Sequence, residues 1–520
     1  PFWLKLLLKP RRGLGVHTLF CPMSVADTFD VCIVGGGPGG LAALSALVEP
    51  YSVDQLSESQ RDRAAHAHVL AKRASPRVCV VDPKPWLTTW QKRFKALDIK
   101  WLRSPTGAHP DIFDRNSLLA FALNQYRNHD LLESGAVSPD LRALPEAGSG
   151  LWSLPSNELF EDFCCDLASR LPHTFVHGTV AFVSGDDGEF SVSLTDGRVL
   201  TAKAVVLAPG VPGPAAVPSA LADVPDSLMF HSDFELGSRL KELGTKKHVL
   251  VIGGGLTAVQ VAQLALKKGC KVVLVSRRPL TTRHFDVNET WFDRRRANFH
   301  HYEFFQKPIE ERLKHVKAAR GGGSVPPMYM KTILEAETEG TLVLKCGEVQ
   351  LSAVLANSVD VTVDGKVQRF DLIVNACGHR PDCRQLPLIS ELLKASPVNV
   401  VGGFPTLSQD LQWGDFKQLF VIGALASLQV GPDAGNLMGL RRAAQIVANA
   451  MCFRAWLRDT NSVLTNIRGN RFHALESDSD SDASTAYRDG HRDGSADNGD
   501  GDFCMDENES CDGIDQASNR

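Results

Sequence analysis

The chain has 520 residues, 43% of them hydrophobic, and a net charge of −4. That length accommodates two or three domains with buried cores, and no apolar run approaches the ~20 residues that a membrane-spanning helix needs. The charge is unevenly spread: residues 476–520 carry fourteen acids against three bases, which leaves the remainder net basic by about seven charges.

The chain begins at Pro1, and residues 1–22 contain bases, apolar patches and no acid. Such a stretch fits either a mitochondrial presequence or a start misplaced upstream of Met23. The second reading is preferred, which makes 1–24 unstructured or extraneous and the protein cytoplasmic. The first strand, Val31-Cys32-Ile33-Val34, runs into Gly35-Gly36-Gly37-Pro38-Gly39-Gly40, and an apolar helix is predicted from near Leu41. This is G-x-G-x-x-G in a strand–turn–helix setting. A buried pyrophosphate needs backbone N–H donors and a helix N-terminus aimed at it, with no Cβ in the way. Gly35 allows the tight turn, Gly37 lets the backbone touch the phosphates, and Gly40 lets the helix pack on the strand. Pro38 and Gly39 lie between them at the helix start.

Residues 51–77 read as a polar insertion before the second strand, Val78-Cys79-Val80-Val81-Asp82. Asp82 suits the adenosine ribose of FAD, although it stands about twice the usual ~20 residues from the loop. Its other reading is a turn aspartate before Pro83. Segment 85–122 mixes aromatic, basic and proline residues, including Trp86, Trp90, Phe94 and Trp101-Leu102-Arg103-Ser104-Pro105. His109 in this segment is a weak catalytic candidate near the flavin, set against a structural role. A helix is predicted over 156–171. Alternating strands follow around Gly185-Asp186-Asp187-Gly188 and end in Ala204-Val205-Val206-Leu207-Ala208-Pro209-Gly210.

The second loop, about 220 residues after the first, is Val249-Leu250-Val251-Ile252 into Gly253-Gly254-Gly255-Leu256-Thr257-Ala258. Gly253, Gly255 and Ala258 repeat the three glycine roles, with Leu256 and Thr257 opening the helix. Two such loops point to a protein holding two dinucleotides. The next strand ends in Ser276-Arg277-Arg278-Pro279, without an acid. A carboxylate there repels a 2′-phosphate and guanidinium binds it, so Arg277 and Arg278 favour NADPH over NADH. The alternative is a solvated basic strand end. A polar insert over 286–329 shows helical charge patterning and holds Gly321-Gly322-Gly323. Within it, Asn288 is a weak candidate for contacting substrate or the nicotinamide, or else a helix cap before Glu289. His300-His301 read as a surface pair without a third ligand, and no metal is expected.

A second strand meander is predicted over 341–367, then a strand ending in Asn375-Ala376-Cys377-Gly378. The chain then returns through the buried strand Leu419-Phe420-Val421-Ile422-Gly423-Ala424. Asp433-Ala434-Gly435-Asn436-Leu437 leads into a helix from near Met438, whose N-terminus suits the flavin edge. The twelve cysteines include no C-x-x-C, so zinc-ribbon and thioredoxin-type chemistry are not indicated, and their use fits a reducing compartment. The acidic tail is expected to be disordered and solubilising, with Ser477, Ser479 and Ser481 open to phosphorylation or a protein partner. The basic excess is diffuse, which argues against nucleic-acid binding.

The expected fold class is α/β, with two Rossmann-like dinucleotide-binding domains, the second inserted into the first, and a disordered tail. The division is 25–245 and 383–475 for FAD, 246–382 for NADPH, and 476–520 for the tail. This order, over 25–471, resembles the two-dinucleotide-binding flavoproteins. Within them it resembles the NADPH-dependent flavin monooxygenases of the N-hydroxylating branch, which includes lysine and ornithine N-monooxygenases. The resemblance is carried by the two loops, Ser276-Arg277-Arg278, Asn288-Glu289 with Trp291-Phe292, Asn375-Ala376-Cys377-Gly378 and Asn436-Leu437. It implies hydride transfer from NADPH to FAD and oxygenation of a small amine-type nucleophile by a C4a-hydroperoxyflavin, with O2 as co-substrate. Cofactor contacts at Gly423, Asn436 and Leu437 are also implied. The F-x-G-x-x-x-H-x-x-x-W signature of other flavin monooxygenases is only echoed at His231-Ser232, and no cysteine pair of a disulfide reductase is present. An NADPH oxidase or reductase without hydroxylation, and a nucleotide-binding regulatory protein, are the alternatives.

Overall fold

The computed structural model describes residues 28–48, 76–133, 152–210, 213–232, 239, 242–291 and 296–459. The chain divides into two compact units, Pro1–Ala455 and Trp456–Arg520. The expected N-terminal stretch, the acidic tail and nearly all of the 51–77 insertion lie outside the described residues.

The first part of the chain supplies strands β1 (Thr28–Val34), β2 (Val78–Asp82), β3 (Leu131–Leu132), β4 (Leu154–Pro155), β5 (Thr174–His177), β6 (Val180–Asp186), β7 (Glu189–Leu194) and β8 (Val199–Leu207). Its helices are α1 (Pro38–Val48), α2 (Thr88–Ala96), α3 (Ser117–Asn124) and α4 (Asn157–Arg170). Strands β5-β2-β1-β8-β7-β6 lie in that order in one sheet, and β3 pairs with β4 separately. β1 is parallel to both neighbours, and its second half, Val31-Cys32-Ile33-Val34, is a continuous apolar run rather than an alternation. α1 is buried on nearly every side, as its uniformly small and apolar sequence requires. α4 is capped by Ser156, whose side chain accepts from the Leu159 N–H, and this fixes the predicted helix to within one residue at each end.

The second part supplies β9 (Met229–His231), β10 (His248–Ile252), β11 (Lys271–Ser276), β12 (Leu342–Cys346), β13 (Val349–Val354), β14 (Val359–Val363), β15 (Lys366–Phe370) and β16 (Leu372–Asn375). Its helices are α5 (Leu256–Lys267), α6 (Ala297–Gln306), α7 (Ile309–Arg320) and α8 (Pro327–Thr338). Strands β12-β11-β10-β16-β9 form a parallel sheet. Its two faces separate by residue parity: Val249 and Val251 pack towards α5, whereas Leu250 and Ile252 pack towards β13–β15. The expected meander over 341–367 is split. β12 runs parallel to β11 because Leu342 and Leu344 pack into the α5 and α8 side, and only β13–β15 form an antiparallel sheet. Strand β9 comes from ahead of residue 246.

The chain then passes α9 (Pro387–Ala395) and the short pair β17 (Val400–Val401) and β18 (Phe404–Pro405). β19 (Leu419–Val421) enters the first sheet, parallel to the last residues of β8, whose earlier residues pair with β7. The chain ends its described part in α10 (Leu437–Asp459). No described helix is long and apolar enough to cross a membrane.

Candidate active site

The first loop and Asp82 lie together, and Asp82 also makes the turn contact that its other reading calls for. The Gly36 N–H donates to Asp82 Oδ2 at 2.8 Å, and the Lys84 N–H to Oδ1 at 2.8 Å. Each carboxylate oxygen keeps a further lone pair for a ligand hydroxyl. A side chain at Gly40 would collide with the Gly35 carbonyl oxygen, so the close approach of α1 to β1 demands glycine there. The Cβ position of Gly37, by contrast, faces open space for 4 Å, as a phosphate-binding backbone requires. Pro38 starts α1, and a Cβ on Gly39 would stand 3.1 Å from Leu440 and 3.7 Å from Ile422. Gly423, at φ 85°, also faces Leu440. The return strand and the start of α10 therefore close on the first loop.

The second loop opens onto a cavity of about 910 Å³, near the upper end of small-ligand sites at roughly 300–1,000 Å³. Its lining includes the second loop from Gly253 to Thr257 with Ser276, Arg277 and Arg320. Apolar side chains, Trp90, Phe94, Leu102, Leu437 and Leu440, line it too. Trp90 stacks on Phe94 at 4.8 Å and 13°, and its Nε1 is buried without a hydrogen-bond partner among the described residues. Gly435 and Asn436 line the same cavity. Asn436 and Leu437 thus share the cavity with the second loop, whereas Gly35, Gly37, Pro38, Gly39, Gly40, Asp82 and Gly423 lie outside it. Ala258 is buried inside α5 and replaces the third glycine in packing on β10.

Arg277 and Arg278 part company. Arg277 lines the cavity beside Ser276; Arg278 lies against Gly322, where an added Cβ would meet its guanidinium. The cavity wall also holds Glu348, Arg103 and Gly322-Gly323-Ser324. Spacing gave no sign of Trp90, Phe94, Arg320 or Glu348, because their approach to the second loop depends on tertiary packing.

Both weak catalytic candidates fall elsewhere. His109 is fully buried, its Nε2 donating to the Arg115 carbonyl at 3.1 Å and its Nδ1 accepting from Arg441 at 3.0 Å. Burial and the Arg441 guanidinium hold its pKa well below the usual imidazole range. Asn288 is exposed, and its side chain accepts the Thr290 N–H at 3.0 Å at the start of a short 3-10 helix, which is the capping alternative. His301, expected on the surface, is buried edge-on against Trp291 at 5.2 Å. Burial, with the Arg442 charge adding to it, lowers its pKa to about 4. Nearby, Asp433 is fully buried and gripped by both Arg442 nitrogens at 3.0 and 2.8 Å.

The residues present fit a dinucleotide at each loop. Gly37 leaves room for phosphate against the backbone of the first loop, and Gly253, Gly255 and Thr257 of the second line the cavity with Arg277 and Arg320.

The fold is that of the N-hydroxylating flavin monooxygenases, with a mixed sheet carrying the first loop and a parallel sheet carrying the second inserted between β8 and β19. The chain is similar to the ornithine N-hydroxylase of Kutzneria sp. 744 at a TM-score of 0.60 and 16% identity, covering 82% of this chain and 100% of that one. The L-lysine 6-monooxygenase of Pseudomonas syringae matches at 0.57 and 19%, covering 82% and 99%. The cadaverine monooxygenase of Erwinia amylovora matches at 0.57 and 16%, covering 82% and 94%. The profile of the pyridine nucleotide-disulphide oxidoreductases matches residues 161–299, across the second loop. No curated protein matches by sequence.

Proposed function

We propose that the chain is an FAD- and NADPH-dependent monooxygenase that oxygenates a small amine. The carrying observation is one cavity lined both by the second loop with Arg277 and Arg320 and by the apolar side chains Trp90, Phe94 and Leu437. The fold supports the same reading, because the Kutzneria relative is described with reduced FAD, NADP+ and L-ornithine.

Asp82 accepts the ribose hydroxyls of FAD, and the N-terminus of α1 faces its pyrophosphate. On the second loop, the Leu256 and Thr257 N–H groups at the start of α5 hold the NADPH pyrophosphate, and Arg277 holds the 2′-phosphate. Leu102, Leu437 and Leu440 keep water from the cavity. Bound flavin supplies the hydride acceptance and oxygen activation, so the protein's residues bind, orient and shield without an acid–base triad. Residues 25–245 and 383–475 chiefly serve FAD and 246–382 NADPH, with β9 from the first stretch completing the second sheet.

The test is aerobic NADPH oxidation by the purified flavoprotein against a panel of diamines and basic amino acids, with peroxide and hydroxylamine product measured together. An amine that replaces peroxide with hydroxylamine one for one supports the proposal. Peroxide release that no amine diverts contradicts it in favour of an oxidase.

A further inference from the structure

The insert loop Gly321-Gly322-Gly323-Ser324 takes no part in either nucleotide motif, yet it lies on the second one. Its three glycines have φ of 61°, 76° and 109°, a left-handed run that side-chain-bearing residues rarely adopt. A Cβ on Gly323 would stand 3.1 Å from Gly255 Cα and 3.4 Å from Gly255 N. In the first loop the corresponding glycine, Gly37, has nothing within 4 Å of its Cβ position. The second phosphate site therefore has an opposing backbone wall at a place where the first is open. Gly322, Gly323, Ser324 and the second glycine loop line the same cavity.

The loop is pinned from the first half of the chain. Arg103 spends all five of its N–H donors on residues 283–286 and Ser324. Nε donates to the His284 carbonyl at 2.9 Å, and Nη2 to the Arg283 carbonyl at 2.9 Å and to Ser324 Oγ at 2.8 Å. Nη1 donates to the Ser324 carbonyl at 3.1 Å and to the Asp286 carboxylate. The segment bearing Arg103 is itself tied beside β4, through Leu102 N–H to the Pro155 carbonyl and Thr106 N–H to the Ser153 carbonyl. Arg283 takes the Ala319 and Arg320 carbonyls at the end of α7, just before the glycines.

We propose that Gly321-Gly322-Gly323-Ser324 is a clasp for the dinucleotide pyrophosphate, set against the second glycine loop at Gly255, with Arg103 as the residue that positions it. This rests on the NADPH reading above. The pyrophosphate lies beside the contact between Gly323 and Gly255, on the Leu256 and Thr257 N–H groups, where Gly322, Gly323 and Ser324 line the same cavity and Arg320 adds positive charge. The adenosine 2′-phosphate, held at Arg277, is not touched by the clasp. A ligand with a pyrophosphate and one without it therefore respond differently when the clasp is loosened.

The experiment is calorimetric titration of the full-length flavoprotein with NADP+ and with 2′-AMP, for the wild type, Arg103→Gln, Ser324→Ala and Ser324→Thr, with bound flavin measured as a check on folding. NADP+ is expected to bind about tenfold more weakly to Arg103→Gln, the loss expected when charge-assisted hydrogen bonds are removed. It should bind severalfold more weakly to Ser324→Ala and like the wild type to Ser324→Thr, which keeps the hydroxyl. The 2′-AMP affinity should stay constant throughout. The clasp is overturned if NADP+ affinity is unchanged or tighter in Arg103→Gln and Ser324→Ala, or if both ligands weaken together. Should Arg103→Gln fail to fold, the two Ser324 variants decide the matter. A wild type that binds neither ligand contradicts the NADPH reading itself, and the clasp with it.

Discussion

Arg277 and Arg278 are adjacent in sequence and face different surroundings, so their substitutions separate. Arg277→Ala removes the cavity-lining guanidinium and is expected to weaken NADPH binding by roughly 10–100-fold, the worth of one charged hydrogen-bonding group, while leaving NADH nearly unaffected. Arg278→Ala acts only through Gly322 and should change NADPH affinity by less. Equal effects in steady-state KM for both coenzymes would contradict the assignment. His301 gives a pH signature. Its folded pKa is about 4, whereas an unfolded imidazole titrates near 6.5. The unfolded chain therefore takes up this proton first, and stability is lost as pH falls from about 6.5 to about 4 and is level below that. The buried His109 acts in the same direction. Thermal unfolding of His301→Phe should show a shallower fall in Tm over that window than the wild type; parallel curves would show that His301 does not carry this term.

At the scale of elements, the two glycines of the first loop do different work. Gly40 is required by the packing of α1 on β1, whereas the Gly37 Cβ position points into open space. Gly40→Ala should lower Tm and soluble yield. Gly37→Ala should fold with a near wild-type Tm but retain little flavin after gel filtration. Flavin retention by Gly37→Ala equal to wild type would mean the phosphate lies elsewhere. The elements that were legible in the sequence are those with strong local signals. Both strand–glycine–helix units carry theirs in ten residues, and α4 carries its own cap in Ser156. β12 was misjudged because a parallel edge strand and the first strand of a meander share one alternating pattern, and only its packing against α8 distinguishes them. Asn288 was ambiguous because capping and ligand contact both call for an exposed amide. Nothing local in Trp90, Phe94 or Arg103 says that the fold sets them against a loop some 150 residues later in the chain.

At the scale of the whole molecule, the architecture brings two nucleotide sites towards one place. β19 and α10 return to the first sheet, Leu440 faces Gly39 and Gly423, and the same residue lines the cavity that opens from the second loop. That convergence was legible as a domain order but not as a geometry, since it depends on where Leu440 and the insert loop come to rest. NADPH held on the second loop is expected to reduce flavin held on the first. The most direct test is anaerobic stopped-flow absorbance of the purified flavoprotein mixed with NADPH and, separately, with NADH. Rapid, saturable bleaching of the flavin by NADPH, with NADH much less effective at equal concentration, is the predicted result. A protein that keeps its flavin but is bleached by neither nucleotide would contradict the account.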